Sequence, residues 1–249
     1  MKVVTIIQAK GGSGKTTLAM TLASAALAKG QTVHMFDGDV NQQLIAWPVA
    51  YEEADWGHVE KLPWPEELTI NAPSENMEQF IENLEELEQD GVDLVIVDTR
   101  PGISQATENF ALLSDVVLIP ARPLQSEWRL VLDSFQWMKD LHDTLEEGEH
   151  FPAVRAVLSD VPTSIARAAA GEPGAQVPKR DMDVLQKLLT VPHLDILIPS
   201  SRILEHFFHH GPLPIAEKAH RAAKNTLMAN HFEDNINIAK AIYAEMEEL

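Results

Sequence analysis

Cysteine is absent from the 249 residues. That gap removes a disulfide framework and any cysteine-based metal site, as suits a reducing cytosol. Basic residues are scarce: 19 Lys and Arg stand against 38 Asp and Glu, for a formal charge of −19. A surface of that sign opposes passive adhesion to nucleic acid or anionic lipid. Long apolar runs are missing too, and no segment approaches the roughly 20 residues that span a bilayer. Met1-Lys2 leads straight into a short β-type run, which is not the pattern of a secretory signal peptide, so a cytoplasmic protein is expected. No internal repeat or linker divides the chain, and 45% hydrophobic residues suffice for one sizeable core. One α/β domain over 1–249 is the expectation.

What is present starts at once. The β-branched run Val3-Val4-Thr5-Ile6-Ile7 ends in Gln8-Ala9-Lys10-Gly11-Gly12-Ser13-Gly14-Lys15-Thr16-Thr17, followed by an alanine-rich helical stretch. Strand, glycine-rich loop, Lys-Thr and helix, in that order, make a phosphate-binding loop. Glycines let successive backbone N–H groups surround phosphate oxygens with no Cβ in the way. A helix opening at about Gly14 adds its dipole to that anion site. Lys15 can reach the β- and γ-phosphates, and the Thr16 hydroxyl can ligate Mg²⁺.

Strand-like and helix-like segments alternate after it. Strands are read over 3–8, 32–36, 94–97, 116–119, 153–158 and 194–198. Helices are read over 15–29, 74–89, 104–113 and 124–145, with a mostly helical 216–248 broken near Asn230. Short apolar strands separated by helices predict a single doubly wound, mainly parallel sheet covered on both faces. Ligands of such sheets sit beyond the carboxyl ends of the strands.

The loop departs from the generic pattern, since the expected first glycine is Ala9 and a second lysine, Lys10, lies inside it. Lys-Gly-Gly-x-Gly-Lys-Thr-Thr resembles the deviant phosphate loop of the ParA/MinD superfamily. The resemblance implies an ATP- and Mg²⁺-dependent ATPase that closes as a homodimer. Lys10 would reach the partner's nucleotide, and residues Lys10, Gly11, Gly12, Ser13, Gly14, Lys15, Thr16 and Thr17 would bind ATP. It also implies a protein partner that stimulates hydrolysis.

Further segments extend the likeness. Asp37-Gly38-Asp39 resembles the family's second motif, in which Asp37 serves the metal shell with Thr16 and Asp39 orients the attacking water. Carboxylates at i and i+2 on an extended segment face one side. The strand ending in Asp98, within Asp98-Thr99-Arg100-Pro101-Gly102, is similar to the second metal-binding element of these NTPases. Arg100 stands where the family has a small residue or proline; a surface ion pair is favoured over an arginine finger. The segment around Pro212 resembles the family's late loop that packs on the adenine, while Ser159 or Asp160 stands where the family often has an asparagine that reads the base.

The rest of the chain offers plainer readings. Trp47, Trp56 and Trp64 sit among prolines in an irregular segment, part of it core, part a place for partner contacts. His206, His209 and His210 have helical spacing, without a carboxylate motif beside them. The C-terminal stripe Ile236, Ile238, Ile242, Tyr243 and Met246 is flanked by acids, the wrong sign for a membrane helix, so it packs on the domain or a partner. Lys179, Arg180 and Lys187, and Lys218, Arg221 and Lys224, are the candidate patches for non-specific DNA, which stays open. Two functions are carried forward. One is a dimerising switch for plasmid or chromosome partition or cargo positioning. The other is a nucleotide-gated recruitment protein with little turnover, because the tail and the Trp-rich segment also resemble ATPases that assist plasmid transfer and relaxosome assembly.

Overall fold

The computed structural model describes residues 1–169 and 177–249. Among them six strands form one sheet: β1 (Lys2–Ile6), β2 (Val33–Gly38), β3 (Leu68–Asn71), β4 (Leu94–Thr99), β5 (Val116–Ala121) and β6 (Ala153–Leu158), in the order β3-β2-β4-β1-β5-β6. Every pairing is parallel. Parallel neighbours need crossovers, and helices supply them. They are α1 (Lys15–Ala28), α2 (Trp47–Glu53), α3 (Met77–Gln89), α4 (Gln105–Leu112), α5 (Gln125–His142), α6 (Thr163–Ala169), α7 (Lys179–Leu188), α8 (Arg202–Glu205), α9 (Phe207–His210), α10 (Leu213–Ala222) and α11 (Thr226–Glu247).

The period of two along each strand sorts side chains to opposite faces. Val4 and Ile6, Leu94 and Ile96, and Val116 and Leu118 meet residues of α1, α10 and α11 on one face. Val3, Val95 and Val97 meet Phe80 of α3 and Phe110 of α4 on the other. Farther along that face Val117 and Ile119 meet Val131 and Met138 of α5 and Leu185 and Leu188 of α7. Both faces are thus covered, so the strands read as continuous apolar runs. Ile236, Ile242, Tyr243 and Met246 of α11 are buried against this core, with Ile238 packed on it. No helix among the described residues is long and apolar enough to cross a membrane.

The element limits follow local chemistry. The Asn76 side chain caps α3 by accepting from the Gln79 N–H, and Ser104 caps α4 by accepting from Thr107. The helical tail breaks at Ala223–Asn225 rather than near Asn230: Lys224 adopts φ 59° and the Asn225 side chain opens α11 by accepting from Met228 N–H. Two elements were not expected. The edge strand β3 is short and half exposed, and α2 lies in the segment expected to be irregular, where Pro48 starts it by fixing a helical φ.

The strand expected over 194–198 is not one. This stretch runs beside β6 through isolated bridges, Ala156 to His193 and Val161 to Pro199. Between those bridges lie five steps on one side and six on the other, so the register slips by a residue and no ladder forms. Pro192 and Pro199 also lack the N–H a ladder needs. The backbone bonds that remain, such as Ile198 N–H to Leu158 O at 2.8 Å, still hold the stretch at the sheet edge.

Candidate nucleotide site

At the carboxyl end of β1 the chain turns through 7–14 into α1. Gly12 and Gly14 take φ 70° and 94°, a left-handed backbone in which a Cβ is strained. α1 has no acidic residue in its first turn and no side-chain cap, so its leading N–H groups are left for an anion. Lys15 is buried at that end; burial pulls its pKa down, while Asp98 and Asp39 pull it up.

The carboxylates arrive on neighbouring strands, with Asp37 of β2 in register beside Asp98 of β4. Thr16 Oγ1 donates to Asp98 Oδ2 at 2.6 Å. Burial pushes the Asp98 carboxyl up to about 7, against the Thr16 bond and Lys15, which lower it. Its Oδ1 is buried with no hydrogen-bond partner among the described residues. Asp37 accepts backbone N–H groups of Leu44, Ile45 and Asp39 at 2.8, 3.1 and 3.1 Å. Burial still raises its pKa. Asp39 Oδ1 accepts from both N–H groups of Asn41, backbone and side chain, at 2.9 Å each.

A cavity of about 500 Å³ opens onto Lys15, Thr16 and Asp39, with Asp37 and Asp98 off its lining. The loop residues Gly11 to Thr17 line one end with Asp39 and Pro101. Ile198, Pro199, Leu204 and Phe208 line the other with Asp160 and Glu205. Ser13 Oγ and Ser159 Oγ, also at the lining, are buried and unpartnered among the described residues. Ser159 Oγ lies 3.5 Å from where a Cβ on Gly14 would stand, so it faces the loop. Asp160 stays exposed and accepts the Ser200 hydroxyl at 2.7 Å.

Three residues singled out in the sequence lie off this lining. Pro212 does not line this cavity. It is buried at the head of α10, and the next N–H, of Leu213, bonds Ser24 Oγ of α1. The reason lies one residue earlier: Gly211, at φ 67°, packs so close to the Tyr51 ring that a Cβ would stand 2.5 Å from it. The turn is drawn toward the Trp segment, and 198–208 forms the wall instead. Lys10 is likewise outside the lining; its ammonium donates to Glu127 Oε1 at 2.8 Å. Arg100 pairs with exposed Glu75 at 3.4 Å, a surface ion pair.

Glu127 had no signal in the sequence. It stands in the first turn of α5, wholly buried, and takes Arg122 Nη2 at 3.1 Å on the same oxygen that holds Lys10. Only the fold brings the loop after β1 and the turn after β5 together.

The aromatic segment closes the structure behind the far wall. Trp47 is fully buried, its indole N–H bonded to Phe207 O at 3.2 Å, and Trp56 bonds His209 O at 2.9 Å. His210 packs edge-on to Phe232 at 5.1 Å, and burial pushes its pKa down to about 4. His220 stacks between Trp56 and Phe232, each ring 5.4 Å away. Arg221 is held by Glu217 and Glu233, whereas Lys179, Arg180 and Lys187 of α7 are exposed.

Comparison with known proteins fits this geometry. The family model described as VirC1 protein matches residues 1–242. The chain belongs to the VirC1 family. A VirC1 protein of Rhizobium rhizogenes is 28% identical over 219 residues, which is 82% of this chain and 90% of that one. A ParA protein of Rhizobium radiobacter is 31% identical over 147 residues, 59% of this chain and 60% of that one. The fold of the septum site-determining protein MinD of Pyrococcus horikoshii OT3, in complex with Mg-ADP, superposes with a TM-score of 0.57 at 18% identity, covering 96% of this chain and 94% of that one. This VirC1-family chain is thereby a member of the ParA/MinD superfamily of P-loop ATPases, with their parallel sheet.

Proposed function

We propose that this chain is a Mg²⁺-dependent ATPase that ATP closes into a two-fold dimer and slow hydrolysis resets, used as a switch in partition or cargo positioning. The observation that carries this reading is the division between two lysines of one loop. Lys15 lines its own cavity, whereas Lys10 is off that lining and its ammonium is held by Glu127. A cation not used at its own phosphate site is of most use to a facing one.

The residues fit the groups they would hold. Asp98 offers a buried, unpartnered oxygen beside the Thr16 hydroxyl, and Asp37 stands in register with it. Two carboxylates and a hydroxyl suit Mg²⁺, which takes its remaining ligands from water and phosphate. Among the described residues no group of three His, Asp or Glu forms a closed cage. Bound there, Mg²⁺ would neutralise charge on the β- and γ-phosphates. The amides of Gly11 to Thr17 cradle the phosphates and Lys15 faces their β–γ bridge. Asp39, at the mouth, orients the attacking water and accepts its hydrogen bond. The wall of Ile198, Leu204 and Phe208 receives the base.

A second reading, a nucleotide-gated recruitment protein with little turnover, is favoured by Asp39, whose Oδ1 is already engaged by Asn41. Partners belong to either reading: a protein that frees Asp39 would stimulate hydrolysis, and exposed Lys179, Arg180 and Lys187, doubled in a dimer, are the contact for non-specific DNA. Phosphate release with Mg²⁺ and with EDTA, alongside light scattering in a non-hydrolysable ATP analogue, tests the proposal. The expected result is Mg²⁺-dependent release and a doubled mass. A doubled mass without release favours recruitment; a chain that binds ATP and stays monomeric contradicts both.

A further inference from the structure

The loop after β1 has two unlike flanks. In the sheet order β3-β2-β4-β1-β5-β6, Asp37 and Asp98 stand near the ends of β2 and β4, on one side of it. On the other side β5 ends at Ala121 and β6 at Leu158, and the residues that follow, Arg122 and Ser159, both line the cavity. The Ser159 N–H donates to Ala121 O at 2.9 Å, which fixes the two as neighbours. One flank is acidic and suits a metal. The other offers hydrogen-bond donors.

Those donors are not used up within the chain. Ser159 is 7% exposed and its Oγ has no partner among the described residues. That oxygen stands 3.5 Å from where a Cβ on Gly14 would be, beside the head of α1. A hydroxyl buried without a bond is costly, so its place calls for a ligand atom. Arg122 is held by one bond, from Nη2 to Glu127 Oε1 at 3.1 Å, while its Nε and Glu127 Oε2 lack partners among the described residues. The pair is not closed as a two-bond fork, and the Arg122 side chain remains 26% exposed. Glu127 also takes Lys10, so its charge does not claim the whole guanidinium.

We propose that Arg122 and Ser159 bind the phosphate chain of the nucleotide from the side of the loop away from Asp37 and Asp98. The inference rests on the nucleotide reading of this cavity and deepens it by two residues. The guanidinium presents paired N–H groups to phosphate oxygens, and the buried hydroxyl gains the bond it lacks. Glu127 keeps the guanidinium in place. The phosphates then meet donors on both flanks of the loop.

The test is displacement of a fluorescent ATP analogue by ATP and by tripolyphosphate, which carries the phosphates without a base, both with Mg²⁺. Arg122→Gln should weaken both competitors about 30-fold, and Arg122→Lys, which keeps the charge, about threefold. Ser159→Ala should weaken both about fivefold and leave the denaturant midpoint unchanged or raised, since it deletes an unpaired hydroxyl. A guanidinium that served only as counter-ion to Glu127 would be dispensable once that charge is gone. The double variant Arg122→Gln, Glu127→Gln should instead stay as weak as Arg122→Gln. Parental affinity for tripolyphosphate in either Arg122→Gln or Ser159→Ala overturns the proposal, as does recovery in the double variant. Ser159→Ala decides the matter even if Arg122→Gln does not fold. A parent chain that binds neither competitor would sink the nucleotide reading itself, a result distinct from a parent that binds both and variants that match it.

Discussion

The two ends of the cavity are built on opposite principles. At the phosphate end, buried polar atoms lack partners: Asp98 Oδ1, Ser13 Oγ and Ser159 Oγ among the described residues. Behind the far wall they have them: the indole N–H groups of Trp47 and Trp56 and the Tyr51 hydroxyl all donate to backbone carbonyls. An unsatisfied buried group costs about 1–3 kcal/mol in the folded chain and returns it when a ligand supplies the bond. A satisfied aromatic cluster stabilises the fold whether or not a ligand is present. The first region leaves polar atoms open to a ligand, and the second holds the far wall in place.

Substitutions should separate the two. The largest effect belongs to the aromatic side. Trp47→Ala removes the fully buried indole and should lower unfolding free energy by about 4 kcal/mol, read by denaturant titration, since the neighbours Trp64 and Phe207 cannot fill the space. Lys15→Ala acts the other way. It should leave the unfolding free energy within about 0.5 kcal/mol and weaken ATP binding about 100-fold, measured by calorimetry. If Lys15→Ala instead unfolded the chain, the phosphate end would be structural and the contrast would be lost.

Asp39→Ala sharpens the comparison within the phosphate end. ATP should stay bound and the dimer accumulate, while phosphate release slows by about 100-fold as the water loses its orienting carboxylate. Unimpaired release would remove Asp39 from the mechanism. The smallest effect is a pH dependence of the aromatic end. The depressed pKa of His210, about 4, means the unfolded chain binds the proton more tightly. Stability from this group is therefore present above the unfolded value near 6.5 and lost as pH falls toward 4. Its share is about 2 kcal/mol, roughly 4–8 °C in melting temperature for a chain of this size. His210→Phe, which keeps the ring against Phe232, should shrink the loss between pH 7 and pH 4.5 by that amount; an unchanged loss would place the titration elsewhere, as at His34, also pushed down to about 4.

What was legible in the sequence was whatever is local. Lys15 and Thr16 follow from spacing within one loop, and Asp37 and Asp98 from their places at the ends of apolar strands; the fold sets Thr16 against Asp98 as that pattern requires. The parallel sheet was legible because its strands are apolar on both faces. The edges were not. The strand β3 alternates but is only four residues long, and 194–198 has strand composition but a slipped register that only its pairing with β6 reveals. Pro212 was misplaced because the position of its loop is decided by the contact of Gly211 with Tyr51, 160 residues away in sequence. Glu127 was invisible for the same reason: an acid in a first helical turn is ordinary until the fold sets Lys10 and Arg122 on it.

The account turns on Lys10 serving a facing subunit rather than its own. Light scattering of Lys10→Ala with Mg²⁺ and AMPPNP addresses it most directly, because Lys15, Thr16 and the loop amides remain to bind the nucleotide. Two polyphosphates brought face to face without the two lysines are left as uncompensated like charges. The variant should bind AMPPNP with an affinity within about threefold of the parent's and remain a monomer where the parent doubles its mass. A Lys10→Ala chain that dimerises on AMPPNP at the parent's midpoint would contradict the account.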